Sequence, residues 1–381
     1  MAAPPAPLTD LPLGPGVRHI DLADGPFPDD APEPMLVGWR DGLPVAHRLR
    51  GPDGVTRSVE ATRPAAPLPS APPPCASVVI CTRDRPAELR RCLASLPDQT
   101  LVPAEVIVVD NASRTAETRA VAEAAGAVYV REDRPGLDFA RNAGALRASG
   151  EIVAYTDDDV VLHPRWLEAL VASFTSPAVG GVTGLVLPAE LASEAQLHFE
   201  TYWSFGRGYD PIDFPASLVR GPAAAAFQAS TVGAGASMAF RRSVFAEAGL
   251  FDERLDVGQA GCSGDSEYWY RLLARGFDCR YEPRSVAFHY HRRGMDGLAS
   301  QLRAYMRGNA ASLLIQYEDT GMAVNRRRAL VWLPRWYAGR LRRRLTGRRV
   351  PDDRFLRQEV AGYLSGLLFY WRHRRPVRHA G

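Results

Sequence analysis

Three consecutive carboxylates follow an apolar run near the middle of the chain. The run is Ile152–Thr156, and Asp157, Asp158 and Asp159 come directly after it. Neighbouring like charges repel, so a buried strand end tolerates them only where a cation or hydrogen bonds compensate. In an extended backbone Asp157 and Asp159 point to one side and Asp158 to the other. The pair could therefore share Mg²⁺ or Mn²⁺ with the phosphates of a substrate, and a solvated acidic turn is the alternative.

The segments around this triplet predict a sheet whose edge gathers further polar side chains. Apolar runs alternate with helical patterns, the runs at 77–81, 104–109, 127–130 and 152–156 and the helices at 86–96, 115–125 and 138–148. This alternation is typical of an α/β fold with a doubly wound, mostly parallel sheet. Ligands of such sheets bind beyond the carboxyl ends of the strands, where Thr82, Asp110 and Asp157 fall.

The charge of the chain is divided unevenly along its length. The 381 residues carry a net charge of +3, and all 46 basic residues are Arg. From Met322 onward, 16 Arg face three acidic residues, which gives +13 there and leaves −10 for residues 1–321. An acidic body with a basic tail indicates that the tail meets something anionic.

Cysteine usage and hydropathy favour a cytoplasmic protein. The five Cys are odd in number and lack CxxC spacing, so neither a disulfide framework nor a zinc site is expected. The first residues lack the basic and apolar regions of a signal peptide, and no run of 18 apolar residues occurs.

Composition shifts divide the chain into four predicted regions. They are a small β-rich accessory lobe at 1–63, a Pro/Ala-rich linker at 64–75, the α/β domain at 76–321 and a basic helical region at 322–381.

The chemistry-bearing residues belong to four blocks in a fixed order. The blocks are SVVICTRDRPAELRRCLASL, EVIVVDNAS, GLDFARNAGALRASGEIVAYTDDDV and GDSEYWYRLLARGF. In this order they resemble a family 2 glycosyltransferase of the GT-A fold, over roughly residues 76–295. The resemblance implies inverting transfer of one sugar from a nucleotide-diphosphate sugar to an acceptor hydroxyl, assisted by Mn²⁺ or Mg²⁺. Bacterial glycan, glycolipid or secondary-metabolite biosynthesis is the expected setting. The acceptor is expected to be a glycan, a lipid-linked molecule or a small molecule.

The resemblance also implies a role for each matching residue. Nucleotide-sugar binding is expected of Thr82, Asp84, Asp110, Arg141, Asp157 and Asp158, and metal binding of Asp157, Asp159 and His289, with His291 as the alternative histidine. Because an attacking hydroxyl must lose its proton, one carboxylate base is needed. Asp265 is the expected base and Glu267 its competitor. Acceptor contacts are expected from Trp203, Gly235 and Trp269, although aromatic core packing is an equal alternative for the segment around Trp203.

Two other functions and the role of the tail remain open at this level. A nucleotidyltransferase would normally carry a Gly-rich loop after the first strand, and Thr82–Pro86 contains no Gly. An inactive sugar-nucleotide-binding scaffold is the other alternative, which the retained carboxylates disfavour. In the tail, Trp332 and Trp336 among Arg residues predict an interfacial helix on an anionic membrane, with a solvated extension as the alternative and no nucleic acid expected. Such a tail would govern location, and removing it after Thr320 should leave transfer intact.

Overall fold

A computed structural model describes residues 13–65, 67–68, 73–347 and 351–375. The Pro-rich start and part of the predicted linker lie outside these ranges. The first described elements form a four-stranded sheet in the order β1-β2-β3-β4. Its strands are β1 (Val17–Asp21), β2 (Met35–Arg40), β3 (Leu43–Arg50) and β4 (Thr56–Glu60).

This small sheet packs directly on the rest of the protein. Met35, Val37 and Trp39 are buried in the same hydrophobic cluster as the strands of the central sheet. The Trp39 ring stacks on His163, with ring centroids 5.4 Å apart. The N-terminal sheet therefore shares its core with the α/β body.

The larger sheet contains nine strands and positions the site. Its strands are β5 (Ala76–Thr82), β6 (Glu105–Asn111), β7 (Val128–Glu132), β8 (Ile152–Asp157), β9 (Val160–Leu162), β10 (Val179–Pro188), β11 (Ile212–Phe214), β12 (Ser237–Arg241) and β13 (Asp278–His289). The order is β11-β13-β10-β12-β8-β5-β6-β7, and β9 pairs with β13. Strands β7, β6, β5 and β8 are parallel, β12 is antiparallel to β8 and β10, and β10 and β13 are parallel.

Helices cover both faces of this sheet. They are α1 (Pro86–Leu93), α2 (Glu117–Ala124), α3 (Leu137–Arg147), α4 (Trp166–Ala172), α5 (Glu194–Trp203), α6 (Val244–Ala248), α7 (Gly264–Ala274), α8 (Met295–Thr320), α9 (Ala323–Arg327), α10 (Leu333–Leu345) and α11 (Leu356–His373). Along β5, Val78 and Ile80 belong to one core cluster and Val79 and Cys81 to the other. Successive side chains of a strand point to opposite faces, so an apolar run is buried on both sides. The predicted α/β class is confirmed.

The C-terminal helices are part of the folded body. Helix α11 lies so close to α8 that an added Cβ at Gly362 or Gly366 would collide with the backbone of α8. Helix α10 is tied to the segment before α11 and to α11 itself by Arg340, which pairs with Asp353 (2.9 Å) and Glu359 (2.6 Å). These helices therefore pack on the α/β body, whereas the sequence analysis expected a tail that can be removed without loss of the fold. Within the described parts of the chain, no helix combines the length and hydropathy needed to span a bilayer.

Candidate active site

A cavity of about 1910 Å³ opens beyond the carboxyl ends of β5 and β8. One wall comes from these strand ends and the loop before β12. The start of α7, one side of α8 and the residues around Trp332 complete it. The predicted sheet edge is thus the floor of a cleft that reaches across to the C-terminal helices.

The metal-binding residues predicted from the sequence converge in this cavity. One potential ligand atom from each of Asp157, Asp159 and His289 lies within 4.8 Å of the others. The strand register explains the meeting, because Val160 of β9 pairs with His289 at the end of β13. His289 Nε2 lies 3.2 Å from Asp159 Oδ1. Two carboxylates and one imidazole on one cavity wall form a donor set that suits a divalent ion such as Mn²⁺.

Asp158 turns away from this triad, as its position in the triplet predicts. It accepts a hydrogen bond from Thr82 Oγ1 at 2.7 Å and pairs with Arg85 at 2.6 Å. The same guanidinium reaches Asp159 at 2.9 Å. Arg85 therefore supplies the counter-charge that three adjacent carboxylates require, a role that the sequence analysis missed although this Arg follows the first strand of the sheet.

The three carboxylates differ in proton affinity. Burial and the charge of Asp159 raise the pKa of Asp157 to about 6, and the same two causes raise that of Asp158 to about 7. Burial also acts on Asp159, but His289 and Arg85 outweigh it and hold its pKa below the usual range. Asp159 is thus the carboxylate most firmly ionised in the triad.

A buried chain of polar side chains sets the orientation of His289. Its Nδ1 lies 2.9 Å from His291 Nδ1, and His291 Nε2 lies 3.2 Å from Glu200 Oε2. This network fixes the imidazole of His289 so that its other nitrogen faces Asp159. Of the two histidines that the sequence offered, His289 therefore faces the carboxylates and His291 supports it.

Asp265 lies in the first turn of α7 and lines the same cavity. The backbone N–H of Gly235 donates to its Oδ2 at 2.9 Å, and that of Ser266 donates to its Oδ1 at 2.6 Å. Burial, followed by the charge of Asp256, raises the pKa of Asp265 above its usual value, although Arg141 acts in the opposite direction. A fixed carboxylate with a raised pKa in a cleft has the properties of a general base.

Gly235 and Arg141 both line the cavity, as predicted, and Arg141 leaves no room for a side chain at position 235. Arg141 is clamped by Asp138 (2.9 Å) and Asp256 (2.7 Å). A Cβ at Gly235 would lie 2.8 Å from Arg141 Nη2 and 3.2 Å from Asp265 Oδ2. Gly235 is therefore needed for close packing behind the carboxylate, and its predicted role as an acceptor contact is untested.

Two predicted site residues, Glu267 and Trp269, lie outside the cavity, and the structure gives their assigned roles no support. Glu267 forms a buried, bidentate ion pair with Arg271, at 3.0 and 2.6 Å. It borders a separate cavity of about 310 Å³. Trp269 is fully buried in the core and cannot contact an acceptor. Both side chains stabilise the packing of α7 on the rest of the protein. The sequence pattern of carboxylates and aromatic residues on a helix fits this structural role as well as a catalytic one.

Asp84 and Asp110 form hydrogen bonds that hold the loops after β5 and β6, and neither residue lines the cavity. Asp84 accepts hydrogen bonds from the backbone N–H and the side chain of Arg114, at 2.8 and 3.0 Å. Asp110 is buried and accepts from Tyr129 at 2.8 Å and Arg131 at 3.0 Å. These partners occupy the carboxylates, so a direct nucleotide contact has no support in this arrangement.

Several aromatic side chains line the cavity, and of these only Trp203 was predicted. Trp203, at the end of α5, lines the cavity as expected. Trp332, Leu333 and Trp336 line it as well, although the sequence analysis placed them on a membrane-facing tail. Arg328 also lines the cavity and donates to the backbone carbonyl of Ala224 at 2.7 Å. Their aromatic spacing was visible in the sequence, but the packing of α10 back onto the body was not.

The sheet and the clustered carboxylates have the arrangement of the GT-A fold. Residues 77–248 match the model of the family described as glycosyl transferase family 2. The resemblance stated from the four sequence blocks is confirmed.

Curated relatives agree with this assignment. The pre-mycofactocin glycosyltransferase of Mycobacterium tuberculosis is 27% identical over 249 residues, covering 64% of this chain and 48% of that protein. The O-antigen biosynthesis protein RfbC of Myxococcus xanthus is 31% identical over 217 residues, covering 53% of this chain and 16% of that protein. The chain thus spans about half, or less, of the length of these relatives.

A solved structure shares the fold. The mannosyltransferase PcManGT from Pyrobaculum calidifontis, in complex with GDP-Man and Mn²⁺, superposes with a TM-score of 0.53 at 17% identity. The match covers 82% of this chain and 92% of that one.

Proposed function

We propose that this protein transfers a single sugar from a nucleotide-diphosphate sugar to an acceptor hydroxyl, with inversion at the anomeric carbon. One observation carries the proposal. The potential metal ligands Asp157, Asp159 and His289 share a cavity with the oriented carboxylate of Asp265. The leaving phosphate needs positive charge beside it, and the attacking hydroxyl needs a base that takes its proton. A metal ion held by the triad would supply the first and Asp265 the second, within one cleft.

Asp265 would take the proton of the acceptor hydroxyl as its oxygen attacks the anomeric carbon. The two backbone N–H groups that hold the carboxylate leave it fixed in direction before the acceptor arrives. Attack from the side of Asp265, opposite to the leaving nucleoside diphosphate, inverts the configuration of the sugar. The separation of roles predicts that Asp265 affects turnover and that the triad affects donor binding.

The triad is fitted to a divalent ion, and Mn²⁺ is the first choice for testing. Asp157, Asp159 and His289 would hold the ion, and His291 and Glu200 would keep His289 in position. A bound ion supplies positive charge beside the pyrophosphate of the donor and so stabilises the leaving group. Arg85 and Arg141, which line the same cavity, add fixed positive charge near the phosphates.

A panel of nucleotide sugars tests this function. Purified full-length protein would be mixed with UDP-, GDP- and dTDP-sugars, with Mn²⁺, Mg²⁺ or EDTA, and thermal stabilisation would be recorded. GDP-mannose belongs in the panel because the structural neighbour PcManGT was solved with GDP-Man and Mn²⁺. We expect nucleotide sugars with one of these nucleobases to raise the melting temperature only when a divalent ion is present. A ligand that binds only the folded state stabilises that state. Stabilisation by none of these donors, or equal stabilisation in EDTA, contradicts the proposal.

We also propose a cytoplasmic location with peripheral attachment to an anionic membrane. Leu364, Leu368 and Trp371 are exposed on α11 at helical spacing, and Arg372 follows them. Exposed apolar residues beside positive charge favour a membrane interface. The triple change to Ser should abolish sedimentation with vesicles that contain anionic lipid. Equal sedimentation of the parent and this variant contradicts the attachment.

A further inference from the structure

Two tryptophans on the C-terminal wall lie within the reaction cavity. Trp332 ends a π-helical turn, Arg328–Trp332, and Trp336 follows one turn later on α10. Both line the cavity that contains Asp265 and the metal triad. Their exposed fractions are 39% and 48%, so each ring has one part packed and one part open. Residues four apart on a helix lie side by side, and the two indoles therefore belong to one surface.

These rings are held in place by positively charged groups. The guanidinium of Arg328 lies 5.9 Å from the ring centre of Trp332. That of Arg340 lies 4.7 Å from the ring centre of Trp336, and Tyr337 contacts the same ring edge-on at 4.8 Å. Cations attract the faces of indole rings, so each contact restrains the ring. A restrained ring loses little freedom when a ligand stacks on it.

The anchor of this surface is itself rigid. Arg340 is almost fully buried and pairs with the equally buried Asp353 and Glu359. A buried ion pair restrains the elements that carry its charges. Helix α10 is thereby held against α11 at the level of Trp336. This degree of fixation exceeds what an exposed membrane-binding helix requires.

The groups around the tryptophans are polar and hydrogen-bonding. Asn309, Ser312 and Gln316 of α8 line the cavity, as does Gln228 from the loop before β12. Carboxamides both donate and accept hydrogen bonds, as sugar hydroxyls do. A hydrocarbon chain lying here would bury these groups without partners, at a cost in free energy. The wall thus combines aromatic faces with amides, which matches a sugar ring that has an apolar face and a hydroxylated edge.

We propose that Trp332 and Trp336 form an acceptor subsite that stacks on a sugar residue of a saccharide-bearing acceptor. This inference rests on the proposed glycosyl transfer and specifies its acceptor class. The donor and the metal occupy the strand ends, and the acceptor saccharide lies between Asp265 and the two indoles. Lipid-linked or small acceptors without a sugar lack the group that this wall recognises.

A printed array of bacterial oligosaccharides tests the subsite directly. Full-length protein would be applied with Mn²⁺ and the nucleoside diphosphate selected by the donor panel. We expect binding to a subset of the glycans, and a loss of about tenfold or more in Trp332→Ala and Trp336→Ala. Trp336→Phe should retain most of the binding, because a ring remains. The matched control is Leu341→Ala, which removes an apolar side chain that is 51% exposed on α10 and does not line the cavity.

Three results would overturn the subsite. The subsite is wrong if the parent protein binds no glycan on the array, or if the Trp332 and Trp336 variants bind as the parent does. It is also wrong if parent and variants transfer sugar equally well to a lipid alcohol in micelles that carries no saccharide. Donor binding separates this failure from failure of the proposed function. If calorimetry still shows metal-dependent binding of the nucleotide, glycosyl transfer stands and the saccharide subsite alone is wrong.

Discussion

The two walls of the cavity are fixed by different means. At the strand ends, Asp158 is held by neighbouring groups on the same sheet edge, Thr82 and Arg85. On the opposite wall, Trp336 depends on Arg340 and its ion pairs between helices. The first wall presents charge and the second presents aromatic faces. The comparison indicates that reactive groups are placed by short-range contacts on the sheet, while the acceptor wall depends on the packing of a distant part of the chain.

The largest expected effect follows from removing the helical wall. A chain that ends at Thr320 would lose α9 to α11 and expose buried residues of α8 such as Ala310 and Ile315. We expect no soluble folded protein, because large apolar surfaces of α8 would meet water. Arg340→Met is a milder version, since it removes the guanidinium that pairs with two buried carboxylates and should cost about 3–5 kcal/mol of stability. Denaturant unfolding measures this cost.

Substitution of the proposed base is expected to affect chemistry rather than folding. Asp265→Asn should lower turnover by about a hundredfold or more, with little change in donor affinity, because a general base is lost. Glu267→Gln provides the matched comparison. It weakens the buried pair with Arg271, so the melting temperature should fall while kcat stays within about threefold of the parent. The reverse pattern, a normal Asp265→Asn and an inactive Glu267→Gln, would return the catalytic role to Glu267.

A smaller effect concerns pH. Burial and Asp256 raise the pKa of Asp265, and the base works only when deprotonated. Turnover should therefore fall as the pH drops through this raised pKa, and the acid limb should lie above the usual 3.8 of an Asp carboxyl. Asp256→Asn removes a like charge and frees Arg141, so the limb should move to lower pH. An unchanged limb in that variant would assign the titration to another group.

The sheet could be read from the sequence because its strands are short, apolar and buried on both faces. The predicted run 77–81 corresponds to β5 (Ala76–Thr82), and 152–156 to β8 (Ile152–Asp157). Local periodicity and the topology of α/β sheets account for this success. The grouping of Asp157 and Asp159 with His289 was instead expected from the resemblance to family 2 glycosyltransferases.

The remaining site residues depend on partners that the sequence does not reveal. Glu267 pairs with Arg271 within one helix, but only the burial of α7 makes that pair structural. Asp110 is engaged by Tyr129 and Arg131 from the next strand, and this depends on register. The tail was interpreted from its charge, whereas the buried Arg340 holds α10 against α11 through ion pairs with Asp353 and Glu359. The net charge of a segment indicates what it would bind if it were exposed. It does not show whether the segment packs against the rest of the protein.

The central claim is that the triad binds a divalent ion together with the donor nucleotide. Calorimetric titration of the selected nucleotide sugar, with and without Mn²⁺, tests it in the parent, in Asp159→Ala and in Asp213→Ala, a control whose carboxylate is 75% exposed on β11. We predict metal-dependent binding in the parent and in Asp213→Ala, and a loss of about tenfold or more in Asp159→Ala, because the ion loses a charged ligand. Equal, metal-independent affinity in all three proteins would contradict the account.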